Sequence, residues 1–303
     1  VLAAAALAAG APGAAPAPAR IHAEVDGTAF AIGEAGVRTW VLRSATIVAG
    51  YYGTFPVPEL RLKITPVPGS GAKGGTAYPG RGPGIHVRLG RESGEAVLLE
   101  DWVLVHEMVH LALPELDERH AWLSEGLATY VEGMARVAAG NMTEVALWQE
   151  YVDSMPKGEP AADDAGLDHT PSWARTYWGG ALFCLAADVE IRAATGNRRG
   201  LQDALRAVLA ASGGMRAEWP IERVLAVGDA ATGTDVLARL YREHKDRPVE
   251  IDLAALWQRL GIEAVDGRVR LTPSGPAAEL RRSLTATPPG PAPAPAEWVP
   301  AGG

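Results

Sequence analysis

His106-Glu107-Met108-Val109-His110 places two imidazoles four residues apart, with a carboxylate directly after the first. On a helix, positions i and i+4 share a face one turn apart, so both rings can reach one metal ion while Glu107 stands beside them. Two histidines do not complete a catalytic zinc site, which takes three protein ligands and keeps a fourth position for water or substrate. Glu125 follows His110 by fifteen residues, within Trp122-Leu123-Ser124-Glu125-Gly126, and brings a carboxylate from a second helix. The set His106, His110 and Glu125 would hold one Zn2+ per chain and activate water for hydrolysis, with Glu107 as general base. His120 and Asp117 also stand within steric reach as third ligands. His120 lies in the polar run Asp117-Glu118-Arg119-His120, which reads as a solvated or ligand-supporting histidine. A third ligand histidine at position 116 is excluded, because Leu113 and Leu116 stand where that pattern needs Gly and His.

Helices must carry these groups. Leu98, Trp102, Val105, Val109 and Leu113 recur at steps of three and four, which predicts one helix over Glu95–Leu113, stopped by Pro114. A polar connection over 115–120 leads to a second helix running towards Ala139, in which Gly126 and Gly133 permit close approach of another backbone. Upstream, Val37, Trp40, Val41, Ser44, Ile47, Val48 and Tyr51 predict a helix ended by Gly50–Gly53, after a short strand-like stretch over Ile21–Phe30. Leu60–Ile64 and Gly84–Leu89 alternate with period two and predict strands of a small sheet. The Gly/Pro-rich segment between them, with Gly69, Gly71, Gly74, Gly75 and Gly80, reads as a loop. Gly84–Leu89 is then a candidate edge strand for pairing with an extended substrate. Beyond Asp168, helices are predicted over Trp178–Thr195 (C-cap Gly196), Leu201–Ala211, Asp235–His244 (capped by Thr234) and Leu253–Leu260 (ending at Gly261). Asp188 and Arg192, at i and i+4, predict a structural ion pair.

With 303 residues, 48% hydrophobic and 21% charged, the chain can build a full core and one or two lobes. The net charge of -8, with both signs interspersed, excludes a basic nucleic-acid footprint, so no nucleic-acid partner is expected. The single cysteine, Cys184, lies in an apolar helical pattern and excludes a disulfide framework and cysteine-ligated zinc. Residues 1–19 open with VLAAAALAAG and continue as an Ala/Pro run, which reads as a signal-peptide remnant or an Ala/Pro linker, too short to span a bilayer. An exported chain, periplasmic or extracellular, with no stable membrane span when mature, is the corresponding expectation. Residues 20–140 form the expected N-terminal α/β lobe with the zinc helices, and 141–286 a helical C-terminal lobe. Residues 287–303 are expected to be a disordered Pro/Ala tail outside the fold.

Trp122-Leu123-Ser124-Glu125-Gly126-Leu127-Ala128-Thr129-Tyr130 resembles the W-L-x-E-G-x-A-x-Y segment of the gluzincin aminopeptidases, in which the Glu is the third zinc ligand. Tyr177–Leu182, Asp188–Gly196 and Leu201–Arg206 are similar to the Y-x-x-G-A-L, D-x-x-I-R-x-x-T-G and S-L-x-D-x-x-R series of the glycyl-aminopeptidase family. The resemblance implies an α+β, thermolysin-like zincin fold, with a small mixed sheet in the N-terminal lobe and an all-helical C-terminal lobe. It further implies a peptide or protein substrate in the cleft between them, and a catalytic Tyr177 that donates a hydrogen bond to the tetrahedral oxyanion. Trp122 and Trp178 are expected at that cleft. The chain lacks the G-x-M-E-N amine anchor of the better-known zinc aminopeptidases, and has Gly179 where lysine often follows the tyrosine by two positions in the wider group. The PDZ module that many relatives carry is not expected within the residues after Pro273.

The reading is a zinc-dependent peptidase using metal-activated water and a Glu general base. A catalytically inactive, metal-stapled binding protein and a zinc hydrolase acting on a non-peptide bond would use the same ligands. Glu107 and Tyr177 argue against the first, because a structural metal needs no base and is normally closed by a fourth protein ligand.

Overall fold

A computed structural model describes residues 17–286 and 292–300. Strand β1 (Arg20–Glu24) runs parallel to β2 (Glu59–Val67), whose alternation buries Leu60, Leu62 and Ile64 and turns Glu59, Arg61 and Lys63 to solvent. Between β2 and β4 (Gly84–Gly90) lies β3 (Ala72–Tyr78), within the segment expected to be a loop. Its glycines hide the period-two signal. β3 pairs antiparallel with β4, which is parallel to β2, and the sheet order is β3-β4-β2-β1, continued past β1 by β7 (Glu297–Pro300). The expected edge strand is therefore interior: Ile85, Val87 and Leu89 are fully buried, and β3 forms the edge.

The far edge is β7 (Glu297–Pro300), parallel to β1, which corrects the expectation that the whole of 287–303 stays outside the fold. β1 would otherwise be an unpaired edge; the Glu297 N–H donates to the Ala19 carbonyl, and Trp298 packs against the core. Residues 287–291 and 301–303 of that tail, and nearly all of the expected signal remnant, lie outside the described residues.

Helix α1 (Gly33–Tyr52) buries Val37, Trp40, Val41, Ile47 and Val48, and closes at Gly53, where φ is +81° and the N–H returns to Ala49. The single helix expected over 95–113 is two, α2 (Glu95–Leu99) and α3 (Val103–His110). Asp101 makes the break. Its carboxylate accepts from the Leu104 N–H at 3.2 Å, satisfying an orphan donor at the start of α3, and from the Trp40 indole at 3.1 Å. The restart rotates Trp102 off the expected apolar face and leaves it 50% exposed.

Helices α4 (Ala121–Ala138) and α5 (Glu144–Ser154) follow, then a wide π-turn over Arg175–Gly179 that continues into α6 (Gly180–Thr195). Helices α7 (Leu201–Ser212), α8 (Ile221–Thr232), α9 (Val236–His244) and α10 (Leu253–Leu260) complete most of the remainder. The start of α9 is capped by Asp229 of α8, which accepts from the N–H groups of Leu237 and Ala238, and not by Thr234. Nor is this half all helical: β5 (Ile262–Val265) and β6 (Arg268–Leu271) form a hairpin before α11 (Pro276–Leu284). Asp266-Gly267, both at positive φ, is the turn, and Asp-Gly between two β-prone runs is a hairpin signal that helical periodicity masks. No helix among the described residues is long and apolar enough to cross a membrane.

Two contacts knit α4 to α6. A Cβ on Gly126 would sit 2.3 Å from the Gly180 backbone, so this crossing needs bare glycine on both sides. Gly133, in contrast, faces the Leu147 side chain and not another backbone. Buried Asp188 accepts from the Tyr130 hydroxyl at 2.7 Å, Arg192 Nε at 2.9 Å and the Leu201 N–H at 3.0 Å. The expected ion pair is thus one part of a node joining α4, α6 and α7.

Candidate metal centre

The i, i+4 spacing on α3 sets the His106 and His110 rings 5.0 Å apart and nearly perpendicular. From the second turn of α4, Glu125 Oε2 comes to 3.2 Å from His106 Nε2 and 3.5 Å from His110 Nε2. The start of α4 is held by Asp168, whose carboxylate meets His120 Nδ1 at 2.9 Å and accepts from the Trp122 indole at 2.8 Å. Ser124 Oγ lies 3.2 Å from His110 Nδ1 and orients that ring, leaving Nε2 to face Glu125.

The donor set fits a zinc ion. Bonds of about 2.0–2.1 Å in a tetrahedral shell set neighbouring ligand atoms about 3.3 Å apart. The carboxylate lies at 3.2 and 3.5 Å from the two nitrogens. No other group of three or more His, Cys, Asp or Glu side chains among the described residues is placed to hold a metal, and no fourth such residue joins this one. Burial lowers the His106 pKa despite the nearby carboxylate. Burial also pulls on His110, but Glu125 outweighs it and the pKa rises. The opposite balance holds Glu125 well below the usual carboxylate range: burial raises it, and its two imidazole partners more than offset this. The centre therefore presents an ionised carboxylate flanked by two nitrogens.

Glu107 points past this group towards β3. It is 7% exposed, and burial is the main reason its pKa is raised. A Cβ on Gly75 would lie 2.6 Å from Glu107 Cγ, so a glycine in β3 is what lets the edge strand pass so close to the carboxylate. Tyr177 sits in the π-turn, which widens the chain just before α6. Buried Arg175 anchors the turn, with Nε donating to Asp164 and Nη1 to the Gly158 carbonyl, both at 2.7 Å. The Tyr177 ring lies 6.1 Å from the His106 ring and within 16° of parallel. Its hydroxyl is pushed up to about 12, first by burial and then by the Glu125 carboxylate, and so stays a proton donor.

All five predicted residues, His106, Glu107, His110, Glu125 and Tyr177, line one open cleft of about 380 Å³. Gly75, Thr76 and Ala77 of β3 form another part of its wall, and Glu115, Asp117 and Glu118 add carboxylates with no Lys or Arg among the lining residues. The alternative ligands stay apart from the centre: His120 is buried and engaged with Asp168, and Asp117 is exposed, accepting from the Arg119 N–H. Trp122 and Trp178 do not line the cleft; both are buried in the core. Sequence reasoning missed Ser124, adjacent to the candidate ligand Glu125, and Gly75, whose role depends on a strand hidden by its own glycines. It also missed the exposed Trp102 and Trp173, whose rings contact His106 and Tyr177.

No family model and no curated protein matches the sequence. Among solved structures, the chain is similar to an aminopeptidase N family protein from Idiomarina loihiensis, with a TM-score of 0.56 at 12% identity over 75% of this chain and 45% of that one. A two-domain M1 zinc metallopeptidase aligns with a TM-score of 0.44 at 19% identity, over 69% of this chain and 44% of that one. The chain spans less than half the length of either. The first likeness establishes the fold: a mixed α+β unit of the kind found in an aminopeptidase N family protein, with a small mixed sheet and many helices. In this chain that fold carries a His-His-Glu cluster in an open cleft.

Proposed function

We propose that this chain is a zinc-dependent peptidase of the gluzincin type, most similar in its motifs to the glycyl-aminopeptidase family. The observation that carries the reading is the convergence of His106, His110 and Glu125 in the same cleft as Glu107 and Tyr177. His106, His110 and Glu125 would hold the zinc, which when bound polarises a carbonyl and brings the pKa of a water to about 7.

Glu107 is not one of the three converging ligands, yet it borders them. Its carboxylate takes the proton of the attacking water and returns it to the leaving amine. Tyr177 keeps its phenolic proton and donates it as a hydrogen bond to the oxygen that becomes negative as the carbonyl is attacked. β3, the last strand of the sheet, borders the centre and offers an edge to an extended peptide. An open cleft in place of a fourth protein ligand favours catalysis over a metal staple.

Two measurements test this. Treating the zinc-loaded chain with a chelator should abolish cleavage of a peptide mixture, and one equivalent of Zn2+ should restore it; cleavage that survives metal removal rules the reading out. Tyr177→Phe should lower kcat by roughly 10²-fold with KM little changed, as expected for loss of one oxyanion donor. A change confined to KM would assign Tyr177 to ground-state binding instead.

A further inference from the structure

Asp168 lies in the connection between α5 and the π-turn, outside both helices that carry the metal ligands, and its side chain is 6% exposed. Three donors meet on its carboxylate. Oδ1 takes His120 Nδ1 at 2.9 Å and the Trp122 indole at 2.8 Å, and Oδ2 accepts from the Tyr241 hydroxyl of α9 at 2.8 Å. Arg119 Nε donates to His120 Nε2 at 3.2 Å, which leaves Nδ1 as the nitrogen that donates to Asp168. Asp168 is itself fixed from the end of α9: its N–H donates to the Lys245 carbonyl at 3.1 Å, and the Leu167 N–H to the His244 carbonyl at 2.9 Å.

Trp122 carries this anchorage into α4. Its carbonyl lies against Gly180 of α6, and its ring stands edge-on to Phe183 at 5.0 Å and within 20° of parallel to Tyr241 at 6.3 Å. With the indole N–H on Asp168, the residue is held at backbone, ring and polar edge, which resists rotation of α4 about its own axis. Glu125 follows three residues later, less than one turn along. A side-chain tip stands about 5–6 Å from a helix axis, so a rotation of about 10° carries it roughly 1 Å. The groups of a working site must be held to about 0.5 Å. The approach of Glu125 to the two imidazoles, at 3.2 and 3.5 Å, therefore depends on how α4 is turned.

We infer that Asp168 is a positioning residue of the metal centre, tying α9 to the first turn of α4 and so setting the rotation that brings Glu125 onto His106 and His110. That role rests on the metal reading of the cluster and not on peptidase activity. Loss of support for a metal ligand lowers metal affinity by about 10- to 100-fold.

The test measures zinc affinity of the full chain by competition with a chelating indicator. Asp168→Ala should weaken binding by about 10-fold or more, and Asp168→Asn, which keeps an oxygen for Trp122, should recover most of that loss. In a Glu125→Ala background the carboxylate ligand is already gone, so Asp168→Ala should add little, because the two residues act on one contact. Unchanged affinity in Asp168→Ala overturns the inference. So does an equal loss with and without Glu125, the signature of general loosening. Hydrogen exchange of the metal-free chain reads the same clamp: amides 122–126 should lose protection in Asp168→Ala while 106–110 keep theirs, and a uniform change or none overturns the inference. This second measurement decides even if wild type takes up no zinc, a result that sinks the metal reading by itself. Should Asp168→Ala fail to fold, Trp122→Phe, which removes the indole N–H and keeps an aromatic ring beside Phe183 and Tyr241, is put through both measurements with the same outcomes.

Discussion

Glu107→Gln should lower peptide hydrolysis by about 10²- to 10⁴-fold, the usual contribution of a positioned general base, while the chain still binds one zinc. The substitution keeps the shape of the side chain, which matters because Gly75 leaves only a narrow passage beside it. Glutamine cannot accept the proton. The metal should stay because Glu107 lies outside the converging set of His106, His110 and Glu125. Elemental analysis of the purified variant, alongside kcat/KM for a cleaved peptide, separates the two roles. Near-wild-type turnover would remove Glu107 from the mechanism, and loss of zinc would make it a ligand.

Gly126→Ala should be strongly destabilising. The new Cβ would meet the Gly180 backbone at 2.3 Å, and backbone cannot swing aside as a side chain does, so α4 and α6 must separate. Overpacking of this kind costs on the order of 3 kcal/mol. For a chain of this size that corresponds to a fall in Tm of roughly 5 °C or more. Because Gly126 adjoins Glu125, the proposed third ligand, zinc affinity should fall with it, by about 10-fold, as for lost support of a metal ligand. Gly50→Ala in α1 is the control: nothing lies within 4 Å of its added Cβ, and the better helix former should be neutral or stabilising by up to about 1 kcal/mol. Thermal melts of both variants with and without zinc give the comparison. Equal Tm values for Gly126→Ala and wild type would refute a glycine-dependent crossing.

The parts of the site legible in sequence are those set by local geometry. His106 and His110 share a helix face because of the rise and turn of one helix, and that remains true even though the expected long helix is broken at Asp101. The motif blocks also carried more than their spacing shows. Tyr130, from the Trp122–Tyr130 block, bonds to Asp188, and Asp188 in turn caps the start of α7 at Leu201. Sequence could indicate that these residues belonged to one pattern, but not that they met in a single buried node. What stayed hidden had non-local causes. β3 is a strand because β4 supplies its partners, and β7 joins the sheet because β1 has an edge to cover. Trp102 is exposed and Trp122 buried, against expectation, because burial is decided by what packs against a residue, not by its periodicity alone.

Taken alone, the sequence determined the chemistry on offer: two imidazoles one turn apart, a carboxylate beside them, a second carboxylate on the next helix and a tyrosine in a recognisable block. The tertiary structure decided which of these groups share a cleft and which strand borders it. It also decided which aromatic rings face solvent, since helix periodicity is a property of neighbouring residues, whereas convergence depends on long-range contacts such as the close crossing of α4 and α6 at Gly126 and Gly180.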